Sequence, residues 1–193
     1  MTTVCIAQDP QADALLGSDF FALLIGMTLD QQFPMEAAFT GPKKIADRMD
    51  GFDIHRIAES DLDAFVALSS TPPAIHRFPG SMAKRVHELA NVIIDRYDGD
   101  TAAIWTEGDP DAKEVFRRLK ALPGWGDQKS KIFIALLAKQ FGVTPAGWEK
   151  VTGAYSEPDS RRSVADVVDA TTLQEVRQFK KQQKAAAKQA AEA

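Results

Sequence analysis

The run Leu122-Pro123-Gly124-Trp125-Gly126 carries the most specific chemistry in this chain. Two glycines flank one bulky residue, which makes a tight turn with uncovered backbone N–H groups. Such a turn suits a phosphate. Ahead of it, Asp109-Pro110 opens a segment in which Ala112, Val115, Phe116, Leu119 and Leu122 recur at helical spacing. Behind it, Ile132, Phe133, Leu136 and Leu137 mark a second apolar stripe. The turn therefore joins two helices, and the second offers an anion its unpaired N–H donors and the positive end of its dipole. A helix–hairpin–helix that grips a nucleic-acid backbone is the expected reading, with Gly124, Trp125 and Gly126 at the corner. A plain Pro-Gly corner is the simpler alternative. Gln128, Lys129 and Lys131 weigh against it, because cations in a first helical turn oppose the dipole and a phosphate would explain them.

A second polar cluster lies far upstream. Asp30, Gln31 and Gln32 end an apolar helix, where they could fill the gap left by a displaced base, line a base pocket, or simply cap the helix. Trp148 and Tyr155 fall in a loop-like stretch as candidates to stack on a base, although packing against the core is the plainer role. Trp125 at the turn tip could pack under the hairpin or against the DNA backbone, with core packing ahead. Arg77, Lys84 and Arg85 could face phosphate, but solvated charge is commoner. His55, His76 and His87 are far apart and lack metal-ligand spacing, so neither a metal site nor a cofactor is expected.

The elements that must position these groups read as helices almost throughout. Asp9 to Gly17 is a short helix or loop, and Ser18-Asp19 caps a stronger helix carrying Phe20, Leu23, Leu24 and Met27. Pro34 starts a helix through Phe39; further short helices run over 45–49, 54–59 and 62–69 before the Thr71-Pro72-Pro73 break. Ser81 is expected to cap a long helix through Arg96. A brief strand over Thr3 to Ala7 would have no obvious partner. The fold class is all-α, with residues 1–175 as one domain of two intimately packed lobes, the hairpin at 110–141, and a basic tail at 176–193. In that tail Arg177, Lys180, Lys181, Lys184 and Lys188 face only Glu192, so it reads as a frayed helix or an unfolded extension.

Composition sets bounds. The 193 residues are 45% hydrophobic, enough for a core without staples, and the single cysteine, Cys5, excludes an internal disulfide and a four-cysteine cluster. A net charge of −4 gives no global attraction to nucleic acid, so any such role depends on local distribution. No apolar run reaches membrane-spanning length and the first residues lack a signal-peptide pattern. A cytoplasmic, nucleoid-associated monomer is expected.

The segment LPGWGDQKSKIFIALLAKQFG (122–142) resembles the hairpin and following helix of the helix–hairpin–helix (HhH-GPD) base-excision DNA glycosylases. Leu29-Asp30-Gln31-Gln32 followed by Ala37-Ala38 is similar to the Gln-Gln helix end of the alkylbase-type, iron–sulfur-free members. The resemblance implies binding of lesion-containing duplex DNA and hydrolysis of the N-glycosidic bond of a damaged or mispaired base. That chemistry needs a flipped nucleotide and a carboxylate to stabilise the oxocarbenium-like sugar and orient water. Family members place an aspartate shortly after the second hairpin helix, and residues 143–150 contain none. Three readings stay open: Glu149 replaces it, Asp159 is brought back by a longer loop, or excision is lost and a noncatalytic, lesion-sensing DNA-binding protein remains. Members that also nick DNA carry a lysine where this chain has Gln128, which implies a water-using enzyme without lyase activity.

Overall fold

Aspartate side chains cap the starts of several helices. In the computed structural model, which describes residues 2–192, Asp9 accepts from the Gln11 and Ala12 amides and opens α1 (Pro10–Ser18). Asp19 accepts from Ala22 N and opens α2 (Phe20–Leu29). Every residue of α2 from Phe21 to Leu29 is buried, so this helix forms the centre of the molecule. Around it pack α1, α3 (Met35–Phe39), α4 (Gly41–Arg48) and α7 (Pro79–Tyr97). Two short helices, α5 (Ile54–Glu59) and α6 (Leu62–Ser70), lean on α7 and are capped by Asp53 and Asp61.

The second half builds on α10 (Asp127–Phe141), another helix with a long buried run, from Ile132 to Ala138. Ahead of it come α8 (Ala103–Thr106) and α9 (Ala112–Lys120), the latter opened by Asp111 accepting from Glu114 N at 2.9 Å. After it, α11 (Trp148–Thr152) and a 3-10 turn at Gly153–Ser156 return along α10. A second 3-10 turn, Val164–Asp166, is clamped to α10: the buried Asp166 carboxylate receives Lys139 Nζ at 2.6 Å and the Arg162 amide at 2.9 Å. The last helix is α12 (Ala170–Glu192). No strand occurs among the described residues, and the chain is all-α.

Two expectations need correction. Residues 3–7 form no strand; the Ile6 and Ala7 amides instead donate to the Asp13 carboxylate, each at 2.8 Å. The long helix starts at Pro79 rather than at a Ser81 cap, since proline at the first helical position needs no N–H partner. For the basic tail, given as a frayed helix or an unfolded extension, the structure has a helix continuous with α12, whose first turns bury Leu173 and Val176 in the core; the apolar spacing that does this lies before and across residue 176. From Lys181 to Gln189 the helix is exposed.

Candidate nucleic-acid interface and base cleft

The glycine corner is fixed from beneath by Trp125. This residue is buried, its indole Nε1–H donates to Thr28 Oγ1 at 3.0 Å, and its ring meets Phe133 edge-on at 5.2 Å. Lys129 reaches the same residue of α2, with Nζ donating to the Thr28 carbonyl at 2.9 Å. One side chain beneath the turn and one in the first turn of α10 thus tie the hairpin to the C-terminal end of α2, which continues directly into Asp30-Gln31-Gln32.

With Trp125 turned inward, Gly124 and Gly126 face out. Gly124 has φ +75°, a conformation that favours glycine, and a Cβ there would lie 2.5 Å from Arg85 Nε, so any larger residue would also displace the guanidinium packed on it. Gly126 differs. Its φ is −120°, and no atom lies within 4 Å of where its Cβ would stand. The fold places no demand on that glycine; what it leaves is open space before the helix. No side chain caps α10, and the Ser130 amide donates to Gly126 O at 3.1 Å, which leaves the first-turn N–H groups of Asp127, Gln128 and Lys129 directed out of the helix end.

The corner opens onto a cleft of about 890 Å3. Asp30, Gln31, Gln32 and Phe33 form one wall, Gly124, Gly126 and Gln128 another. Tyr155 and Arg162 line it further round, and Gln128 Nε2 donates to the Tyr155 hydroxyl at 3.3 Å. Phe179, Lys180 and Gln183 of α12 complete the lining, with the Arg162 guanidinium 5.1 Å over the Phe179 ring. Arg177 of the same helix pairs with Glu36 of α3.

Two carboxylates line this space. Asp127 is 64% exposed and paired with Lys120 at 2.6 Å; that hydrogen bond holds its pKa below the ordinary carboxylate value. Asp30 is only 13% exposed, and its nearest ion-pair partner is Lys180 Nζ at 3.7 Å. Burial lowers the Lys129 amine to about 8, although the Asp30 charge pulls the other way. The cleft therefore holds a shielded carboxylate beside an amine that is partly neutral just above physiological pH.

His76 braces the wall from behind. The Phe78 amide donates to its Nδ1 at 3.0 Å, so Nε2 carries the proton and donates to the Gln31 carbonyl at 3.0 Å. Burial keeps its pKa below the usual 6.5, consistent with a neutral ring. Arg85 Nη1 donates to Gln31 Oε1 at 3.3 Å while its guanidinium lies on Gly124, which links α7, the Gln-Gln segment and the hairpin.

Of the candidate residues, the structure brings Asp30, Gln31, Gln32, Gly124, Gly126, Gln128 and Lys129 to one cleft. Trp125 supports the corner from inside, and Lys131 lies on α10 outside the lining. Glu149 is exposed on α11 and does not line the cleft. Asp159 and Trp148 line a different recess, beside the start of α12. Sequence reasoning did not anticipate the parts played by His76, Arg162, Phe179 or Lys180. For Phe179 a signal existed, since Leu173, Val176 and Phe179 recur every three residues and mark an inward face.

The profile of the HhH-GPD superfamily of base excision DNA repair proteins matches residues 25–193, a span that contains the Gln-Gln segment, the hairpin and α12. The chain belongs to the HhH-GPD superfamily. Neither a curated protein nor a solved structure gives a significant match. HhH-GPD membership assigns the protein to DNA binding and base excision repair, with DNA glycosylase chemistry as the general activity. No single helix among the described residues is long and apolar enough to cross a membrane.

Proposed function

We propose that this HhH-GPD protein releases a damaged or mispaired base from duplex DNA by hydrolysing its N-glycosidic bond, leaving the strand unbroken. The observation that carries the reading is that an outward glycine corner and a shielded carboxylate, Asp30, share one cleft. The corner amides hold a phosphate, and the nucleotide beside it turns into the cleft. Phe33 and Tyr155 offer surfaces for stacking; the amides of Gln31 and Gln32 supply edge hydrogen bonds. Asp30 faces the sugar, stabilises its developing positive charge and orients the attacking water. Asp30 takes this role rather than Glu149 or Asp159, which lie off the cleft.

A water-using mechanism is supported by Gln128, which stands where the strand-nicking members carry lysine, and by the bond that engages Lys129 Nζ with the Thr28 carbonyl. Incubation with a panel of lesion-bearing duplexes should release free base and leave alkali-labile sites. Silence across a broad panel, with the folded protein verified, would defeat the proposal.

A further inference from the structure

The last helix carries its charge in one line. Arg177, Lys181, Lys184 and Lys188 follow one another at intervals of four, three and four residues, which sets them on a single face of α12. Lys180 lies beside them, one turn before Lys184. Residues 177–188 hold five cations and no carboxylate, in a chain whose net charge is −4. Like charges at these spacings repel along a helix, so the fold gains nothing by collecting them. Lys181 and Lys184 are exposed, and neither has an ion-pair partner among the described residues.

The foot of this line is fixed at the cleft. Leu173 and Val176 are buried in the core, Arg177 pairs with Glu36 of α3, and Lys180 Nζ stands 3.7 Å from the Asp30 carboxylate. Phe179 lies under the Arg162 guanidinium, and Phe179, Lys180 and Gln183 line the same cleft as Gly124 and Gly126. From Lys180 to Lys188 the helix advances about 12 Å at 1.5 Å per residue. Beyond Lys180 every residue of that stretch is exposed.

We infer that the cationic face of α12 is a second duplex-binding surface, which grips the DNA phosphate backbone beyond the cleft while the glycine corner holds it at the cleft. The inference rests on the proposed function in one respect, that the duplex reaching α12 is the one seated on the corner. Charge complementarity names the partner. A duplex presents a negative charge about every 1.7 Å of its axis, so a row of cations about 12 Å long meets phosphate along its whole length. A protein partner would need apolar or aromatic anchors at the centre of the interface, and a membrane would need an apolar face on the helix. Around Lys181 and Lys184 the exposed stretch offers only Gln182, Gln183 and Ala185 to Ala187. The surface adds affinity without reading sequence or lesion, because its contacts are to phosphate.

The test uses the full chain with Lys181→Ala, Lys184→Ala and Lys188→Ala combined, a change that preserves helix propensity. Affinity for lesion-bearing and undamaged duplexes of equal length is measured by fluorescence anisotropy across a salt series. The triple change should lower affinity for both duplexes by the same factor, about tenfold or more, and flatten the slope of log affinity against log salt by about one unit per cation. Arginine at the same three positions should restore both, which separates charge from helix stability. A triple alanine protein with the wild-type slope and affinity would overturn the inference, with base release still free to support the cleft reading. Loss of binding to phosphatidylserine vesicles or to polyglutamate, with the duplex slope unaltered, would also overturn it by assigning the face to another partner. If the wild type released no base from any lesion while the triple change still flattened the slope, the surface would stand and the proposed function would fall.

Discussion

Replacing the two corner glycines by alanine should separate folding from DNA binding, because the structure asks different things of them. At Gly124, alanine must adopt φ +75°, which costs about 1–2 kcal/mol for an L residue. Its Cβ would also stand 2.5 Å from Arg85 Nε and 2.6 Å from Arg85 Cδ, so the guanidinium must leave Gln31, at a further cost of about 1 kcal/mol. The sum of about 2–3 kcal/mol corresponds to a fall in Tm of roughly 4–12 °C for a chain of this size. At Gly126 the backbone is extended and a Cβ meets nothing within 4 Å, so stability should change by less than about 0.5 kcal/mol. That added methyl nevertheless stands where a phosphate must approach the first-turn amides. Loss of one or two charge-assisted hydrogen bonds, about 1.5–3 kcal/mol, would weaken duplex affinity by roughly 10- to 100-fold, irrespective of sequence. Scanning calorimetry gives the stability difference, and fluorescence anisotropy with labelled duplexes at two salt concentrations gives the affinity. A Gly126→Ala protein that is as stable as the wild type and binds every duplex equally well would refute the reasoning.

Three further outcomes follow. Lys129 titrates at about 8 when folded against an ordinary value of 10.5, so between these pH values the unfolded chain binds more protons and stability should rise with pH, by up to about 3 kcal/mol; chemical denaturation across that range should show the rise in the wild type and its loss in Lys129→Met. Borohydride treatment of the protein with an abasic duplex should leave no covalent adduct; an adduct that disappears in Lys129→Met would contradict the water-using mechanism. Thr28→Val strands the buried Trp125 N–H and should cost about 1–3 kcal/mol in thermal unfolding, whereas Trp125→Phe in the Thr28→Val background should add less than it costs alone, because the two groups share one hydrogen bond.

The hairpin was legible because its signals are local: glycines at a turn, apolar stripes on either side and polar residues in the first turn of α10 are adjacent in the chain. The Asp-capped helix starts were legible for the same reason. What the residue pattern could not convey is which distant groups converge. Asp30 and Lys129 are brought together by the docking of Trp125 on Thr28, and nothing in either segment specifies that pairing. Arg85 reads as solvated charge until its guanidinium is seen against Gly124. The tail read as a frayed helix or an unfolded extension because its lysines and alanines dominate its composition, and what that composition did not convey is that Leu173, Val176 and Phe179 anchor its beginning and carry Lys180 to Asp30. Glu149 was a candidate through its position after the hairpin, but α11 leaves it exposed away from the cleft.

The central claim is that a carboxylate at the end of α2 performs base excision in the cleft beside the glycine corner. Single-turnover base release by Asp30→Asn, measured alongside its duplex affinity, tests this most directly. The account predicts that release from a duplex cleaved by the wild type falls by at least about 100-fold, in line with the loss of a catalytic charge, while affinity changes by less than about threefold. Wild-type rates in Asp30→Asn would contradict it.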